Sequence, residues 1–349
     1  LIKFDFLGLK TLTVLSKAEI LIKEKHKNFN LSQISLEDEN TFKMLSTGST
    51  TGVFQLESAG MKDVLIGLQP DRFEDIIAVV SLYRPGPMEN IPSYINRKHG
   101  KEKIIYMHPS LEPILKETYG IFIYQEQVLR AAQILANFSL AKADILRRAM
   151  GKKDKDEMSE QMKSFLTGAK KRGINRDKAF EIFQQISAFA GYGFNKSHAA
   201  AYALIAYQTA WIKTNFPYEF FVSMMTVENN NTEKLYSFVE EIKKLGMKIL
   251  QPCINNSSFE FLIEDITKDM KGIRYSLSSL KNVGSEAIKK IVQIRKQNGA
   301  FKDIDDFLNK VPYSLITKKL FESLIKSGAF DIIEKNRHKL FNSIDLMLN

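Results

Sequence analysis

Ser139-Leu-Ala-Lys-Ala-Asp-Ile-Leu-Arg-Arg-Ala-Met-Gly151 reads as one amphipathic helix. Ala143, Leu146, Ala149 and Met150 recur at helical spacing and make an apolar stripe. Ser139 stands where a hydroxyl can cap the first turn, and Gly151 where a helix stops. The same periodicity extends both ways: residues 111–137, 155–172 and 175–189 read as further helices joined by short polar links. Towards the N-terminus, 10–28 and 36–47 read as amphipathic helices, the second with Ser35 as N-cap, and another runs over 60–68. Gly52-Val-Phe-Gln-Leu-Glu57 reads as a short strand between them. Arg84-Pro-Gly-Pro87 breaks the pattern, and Pro85-Gly86 suits the centre of a type II turn. The fold class is mainly α, with few strands.

After Pro217 the composition changes. Residues 232–245 read as a helix, 248–254 and 259–263 as extended, with Asn255, Asn256, Ser257 and Ser258 as the loop between. From about Gly272 a compact helical tail begins, with two similar turns, Lys281-Asn-Val-Gly284 and Ile325-Lys-Ser-Gly328. At the other end, Leu1-Ile-Lys-Phe-Asp-Phe-Leu-Gly-Leu9 reads as a short apolar strand. Asp5, between Phe4 and Phe6, is costly to bury without a cation. Alternation puts Lys3 on the same face, so the acid faces either that lysine or a divalent metal. The chain starts with Leu rather than Met, and it is expected to be an internal piece of a longer protein.

A length of 349 residues and a 44% hydrophobic share fit about two folded domains. Cys253 is the one cysteine, which excludes an intramolecular disulfide and fits a reducing cytoplasm. No run of about 18 apolar residues or signal-peptide pattern is present, so a membrane or secreted protein is not expected. The net charge of +10 points to a polyanionic partner, nucleic acid first. Arg147, Arg148, Lys152 and Lys153 cluster without an intervening acid, and Lys281, Lys289, Lys290, Arg295 and Lys296 stand against only Glu286.

Three constellations could carry chemistry. Arg147 and Arg148 lie about 100° apart on their helix and suit bidentate contacts to phosphate, with Lys152 and Lys153 extending the patch. The competing reading is a solvated basic face that answers the helix C-terminal dipole. In Gly191-Tyr-Gly-Phe-Asn-Lys-Ser-His198, Ser197 reads as the N-cap of a long helix, and Asn195, Lys196 and His198 flank a terminus that attracts anions. Tyr192, Phe194 and Tyr202 offer faces for a base to stack on. The competing reading there is a capped core helix with aromatic packing. In the tail, Lys281, Gly284, Lys289 and Lys290 mark a hairpin that could hold DNA backbone, although it lacks the first glycine of the usual Gly-X-Gly. Gly328 marks the second hairpin, which reads equally as a structural turn. The scattered histidines have no metal-ligand spacing, there is no Walker-type loop, and Tyr124-Gln-Glu-Gln127 reads as a polar stretch of undefined role inside a helix.

Six motifs, residues 3–9, 54–58, 84–87, 124–127, 147–153 and 191–198, match in order and spacing those of bacterial C-family replicative DNA polymerases, the alpha subunits of DNA polymerase III. The chain resembles that family over essentially its whole length. The resemblance implies the end of a catalytic palm at 1–10, helical fingers at 11–245, an extended connection at 246–271 and a tandem helix-hairpin-helix DNA-binding domain at 272–349. It implies that Asp5 is one of three catalytic, Mg²⁺-binding aspartates, the other two being absent from this chain. It further implies that Lys3, Arg147 and Arg148 hold the triphosphate of an incoming nucleotide, with Lys152, Asn195, Lys196 and His198 near it. The implied partners are primer-template DNA, deoxynucleoside triphosphates, and a sliding clamp, proofreading exonuclease and clamp-loader subunits. With one aspartate of three, this chain alone is expected to be inactive. The alternatives are a non-catalytic module gripping DNA backbone and a helix-hairpin-helix nuclease or glycosylase.

Overall fold

The computed structural model describes residues 8–152, 155–190 and 192–348, without the side chains at 150–152, 155 and 190. Asp5, Lys3, Lys153 and Gly191 lie outside the described residues, as does the Lys152 side chain. The fold is mainly α and divides into two compact units, Ile34–Ala210 and a second made of Leu1–Gln33 with Trp211–Asn349. α1 (Lys10–Lys25) belongs to the second unit.

The Ile34–Ala210 unit runs through α2 (Glu39–Ser46), α3 (Ala59–Leu68), α4 (Phe73–Leu82), α5 (Ile91–Lys98) and the short α6 (Glu112–Leu115). α7 (Gln125–Ala136), α8 (Leu140–Lys152), α9 (Lys155–Lys171), α10 (Arg176–Ala190) and most of α11 (Lys196–Asn215) follow. As the stripe requires, Ala143, Leu146 and Ala149 of α8 are buried, the first two in a core with Leu135, Phe165, Phe183 and Ile186. Ser139 caps α8 through the Lys142 amide at 3.2 Å, and the helix runs through Gly151 to Lys152.

α9 crosses α7 at a glycine. A Cβ on Gly168 would stand 2.8 Å from the Ala136 carbonyl carbon and nearer still to its oxygen, so the helices meet backbone to side-chain-free backbone. Gly168→Ala is therefore expected to destabilise the protein by about 1–3 kcal/mol through overpacking. The check is the urea midpoint, which should fall at constant slope; an unmoved midpoint would mean the helices part without strain.

Four local expectations are corrected. Residues 52–57 form turns, with Gln55 at φ 59°, rather than a strand. α2 starts at Glu39 because Asp38, not Ser35, caps it, accepting from the Thr41 amide at 2.9 Å. The helix expected over 111–137 is broken at Tyr119 and Gly120, both left-handed (φ 51° and 79°), and restarts only at Gln125. Arg84–Pro87 departs from a type II turn: Gly86 has the positive φ, 94°, but a ψ of −76° instead of about 0°, and the Met88 amide, one residue further on, bonds the Arg84 carbonyl at 3.2 Å.

A charged group is buried between α4 and α5. Asp75 is fully buried and accepts from Arg72 Nε at 3.2 Å, from the Tyr94 hydroxyl at 3.3 Å and from Lys98 Nζ. Lys98 itself is 6% exposed and also meets Asp71 at 2.7 Å. Arg72 continues to the Glu117 carbonyl at 2.9 Å and the Tyr119 hydroxyl at 3.0 Å.

In the second unit, α12 (Pro217–Val227) and α13 (Thr232–Lys244) lead to a sheet of β1 (Lys248–Leu250), β2 (Leu262–Thr267) and β3 (Met270–Arg274). The strand order is β1-β3-β2, with β1 parallel and β2 antiparallel to β3. The extended readings match β1 and β2 in part; β3 occupies the start of what was expected to be helical tail. That tail comprises α14 (Ser285–Asn298), α15 (Ile304–Lys310), α16 (Lys318–Lys326), α17 (Arg337–Asn342) and α18 (Ile344–Leu348). Its largely aliphatic core holds a cluster of rings: Phe307 lies 5.0 Å from Phe301 and 5.1 Å from Phe330, and Phe321 lies 5.2 Å from Phe330.

Candidate functional site

In the Ile34–Ala210 unit the site is assembled at the start of α7. The Ile121–Ile123 segment is non-helical and leads to an extended Tyr124, with which Phe194 pairs in one parallel bridge. The Phe194 amide donates to the Ile123 carbonyl at 3.1 Å, and the Gln125 amide donates to the Phe194 carbonyl at 2.9 Å. Tyr124-Gln-Glu-Gln127 is thus the entry to α7 rather than a polar patch inside a helix. Gln127 caps that entry by accepting from the Ile123 and Tyr124 amides at 2.8 and 2.9 Å. Gln125 donates to the Gly193 carbonyl at 2.9 Å, while its oxygen lies 3.5 Å from Arg147 Nη1.

Glu126 holds the start of α11. Its carboxylate accepts from the Lys196 amide at 3.1 and 3.2 Å and from Asn195 Nδ2 at 2.8 Å. The anion at this helix N-terminus is therefore a side chain of the protein itself. Asn195, not Ser197, is the N-cap, accepting from the His198 amide at 2.8 Å. Lys196 Nζ pairs with Glu117 at 2.7 Å and lies 5.4 Å from the centre of the Tyr124 ring. Arg84 donates to the Tyr192 carbonyl and stacks 4.7 Å above Phe194; burial lowers its pKa. Gly86 packs so closely on the Tyr192 ring that a Cβ would lie 2.8 Å from it. His198 lies in a row of rings, 5.6 Å from Phe194 and 4.5 Å from Tyr202, which continues to Phe54 at 5.7 Å.

Arg147 and Arg148 share one carboxylate. Asp144 Oδ1 accepts from Arg147 Nε at 2.9 Å and Nη2 at 2.8 Å, and Oδ2 accepts from Arg148 Nε at 2.8 Å. The Arg147 hydrogen bond, with the charges of both arginines, outweighs burial and holds the Asp144 carboxyl below its ordinary range. Arg147 is 32% exposed and Arg148 68%.

In the tail, Lys281, Lys289 and Lys290 are exposed, and Lys289 pairs with Glu286 at 2.7 Å. Gly284 precedes α14 in an extended conformation with open space around it. The missing first glycine has a substitute: Asn282 adopts the left-handed conformation, φ 63°, which asparagine tolerates. Gly328, also left-handed, is buried; its amide donates to the Ile325 carbonyl at 3.0 Å, and the Arg337–Asp331 pair covers it.

The structure thus brings Arg147, Asn195, Lys196 and His198 to one region through Gln125 and Glu126. The sequence marked Gln125, Glu126 and Arg84 as parts of motifs without giving them a role, and Glu117 and Asp144 went unmarked. The spacing of Asp144 three and four residues before the arginines was the available signal. Among the described residues no group of three His, Cys, Asp or Glu side chains could hold a metal, and no helix is long and apolar enough to cross a membrane.

Residues 11–173 match the family described as the bacterial DNA polymerase III alpha subunit finger domain, and residues 246–340 match the helix-hairpin-helix motif. The DNA polymerase III subunit alpha of Caulobacter vibrioides is 45% identical over 348 residues, that of Borreliella burgdorferi 47% over 348, and that of Escherichia coli K12 45% over 356. These alignments cover 99–100% of this chain, which spans about 30% of the relatives' length. With a finger-domain match, a hairpin motif in the tail and near-half identity from end to end, the chain belongs to the bacterial DNA polymerase III alpha subunit family.

Proposed function

We propose that this chain is the fingers and adjoining DNA-binding portion of a template-directed DNA polymerase of the bacterial cytoplasm. In this reading a primer 3′-hydroxyl attacks the α-phosphorus of a deoxynucleoside triphosphate and pyrophosphate leaves. The observation that carries it is the arginine pair on α8, placed beside the loop that leads into α11. Arg147 and Arg148 hold the triphosphate and offset its charge, so that it lies in line with the attacking oxygen. Lys152, Asn195, Lys196 and His198 border the nucleotide, and Lys3 adds a further cation. Asp5 is a metal ligand; a pair of Mg²⁺ ions, when bound, would promote attack and stabilise the leaving oxygen. Among the described residues there is no three-ligand cluster, so the reading requires carboxylates beyond those described. Lys281, Gly284, Lys289 and Lys290, with Gly328 in the second hairpin, belong to a surface for primer-template backbone. By family, clamp, exonuclease and clamp-loader subunits are further partners. The domain limits proposed are palm to 10, fingers 11–245, connection 246–271 and hairpin domain 272–349.

The test is primer extension with Mg²⁺ and four deoxynucleotides, comparing this chain with a protein of its relatives' length that contains it. Extension by the longer protein alone is the expected result. A longer protein that binds primed DNA but never extends it would leave a non-catalytic backbone-binding module. Within the active protein, Arg148→Ala should lower kcat/KM for nucleotide on the order of 10–100-fold. An unchanged nucleotide response would make α8 a solvated basic face.

A further inference from the structure

We propose that Asp144 is the positioning residue of the arginine pair, fixing Arg147 and Arg148 as a two-pronged fork for a polyphosphate. The inference rests on the reading of those arginines as triphosphate ligands and adds the group that sets their geometry. Adjacent guanidiniums on one helix repel and have many rotamers. A carboxylate one turn earlier meets both, at i−3 and i−4.

The contacts divide cleanly. One carboxylate oxygen takes Arg147 through Nε and Nη2, and the other takes Arg148 through Nε. The shortest contact to Arg148 runs through Nε, and the side chain as a whole stays 68% exposed. Arg147 Nη1 is directed to Gln125, whose amide is tied to the Gly193 carbonyl. One negative charge faces two positive ones, so the fork keeps a net charge of +1 for an anion. The carboxylate stays ionised at working pH, because Arg147 and Arg148 hold its pKa low. Asp144 thus orients the fork without filling it.

The experiment uses Asp144→Asn in the longer polymerase, alone and combined with Arg148→Ala. The single substitution should lower kcat/KM for nucleotide about tenfold with primer-template affinity unchanged, by loosening a preset pair. In the Arg148→Ala background it should add less than about twofold, since residues acting through one another are non-additive. Equal losses in both backgrounds would show a merely structural carboxylate. A lower nucleotide KM at full kcat would show a competitor that blocks the fork; either result overturns the proposal.

Two readouts do not depend on polymerisation. The Arg147 and Arg148 Nε–H resonances should exchange slowly in the unmutated protein and rapidly in Asp144→Asn, and affinity for inorganic triphosphate should fall about tenfold. If the unmutated protein fails to extend primers yet shows both changes, the polymerase reading falls and the fork stands. If neither change appears in a folded variant, the fork falls.

Discussion

Asp5→Asn, in a protein of the relatives' length containing this chain, should reduce nucleotide incorporation on the order of 10³-fold or more. Primer-template affinity should stay within about twofold, because backbone binding depends on counterion release at cationic surfaces such as Lys281, Lys289 and Lys290. Asparagine keeps the size of the side chain and one oxygen but removes the charge that a divalent ion requires. Single-turnover incorporation and fluorescence-anisotropy binding, measured on the same preparation, separate the two effects. Equal loss of both would refute the metal-ligand role and return Asp5 to a structural partner of Lys3.

Asp75→Ala should destabilise the protein by about 3–5 kcal/mol, the scale for breaking a buried ion pair on one side. Among the described residues Lys98, its side chain 6% exposed, would keep only Asp71, itself 73% exposed, as an acidic partner. Arg72 would lose its buried acceptor as well. Burial by itself lowers the Arg72 pKa; the Asp75 charge, with Tyr119, Tyr94 and the Asp75 hydrogen bond, together override that and raise it, so the removed carboxylate had been the main partner of a desolvated cation. Chemical denaturation gives the size of the effect. Lys98→Met added to Asp75→Ala should recover part of it, because a neutral apolar side chain no longer needs an acceptor. Additive losses in the double variant would place the cost in packing rather than charge.

The helices were legible where one physical signal dominated. The stripe of Ala143, Leu146 and Ala149 and the capping hydroxyl of Ser139 defined α8 because burial and local hydrogen bonding agree there. The 111–137 segment misled because apolar residues continue through Ile121, Phe122 and Ile123, where the chain is not helical. Buried in both conformations, they carry no period that distinguishes helix from strand. The left-handed pair Tyr119 and Gly120 was the local clue, and tyrosine hides it. The site was legible as a set of motifs and illegible as an arrangement. Whether Lys196 faces a ligand or Glu117 depends on partners 70 or more positions away, which spacing alone cannot reveal. Residues that look cationic in sequence turn out to be paired: Arg147 and Arg148 with Asp144, Lys196 with Glu117.

The single bridge between Tyr124 and Phe194 has an architectural consequence. The chain leaves at Gln125, builds four helices and returns to its point of departure, so the excursion has a common gate for entry and exit. The cost of closing such a detour rises only slowly with its length. Its far turn, at Gly173, is left-handed with open space around it. Residues added or removed there would lengthen or shorten the detour while the gate holds its ends in register. The outer part of this unit can therefore drift in size without disturbing the arginines and the loop beside it.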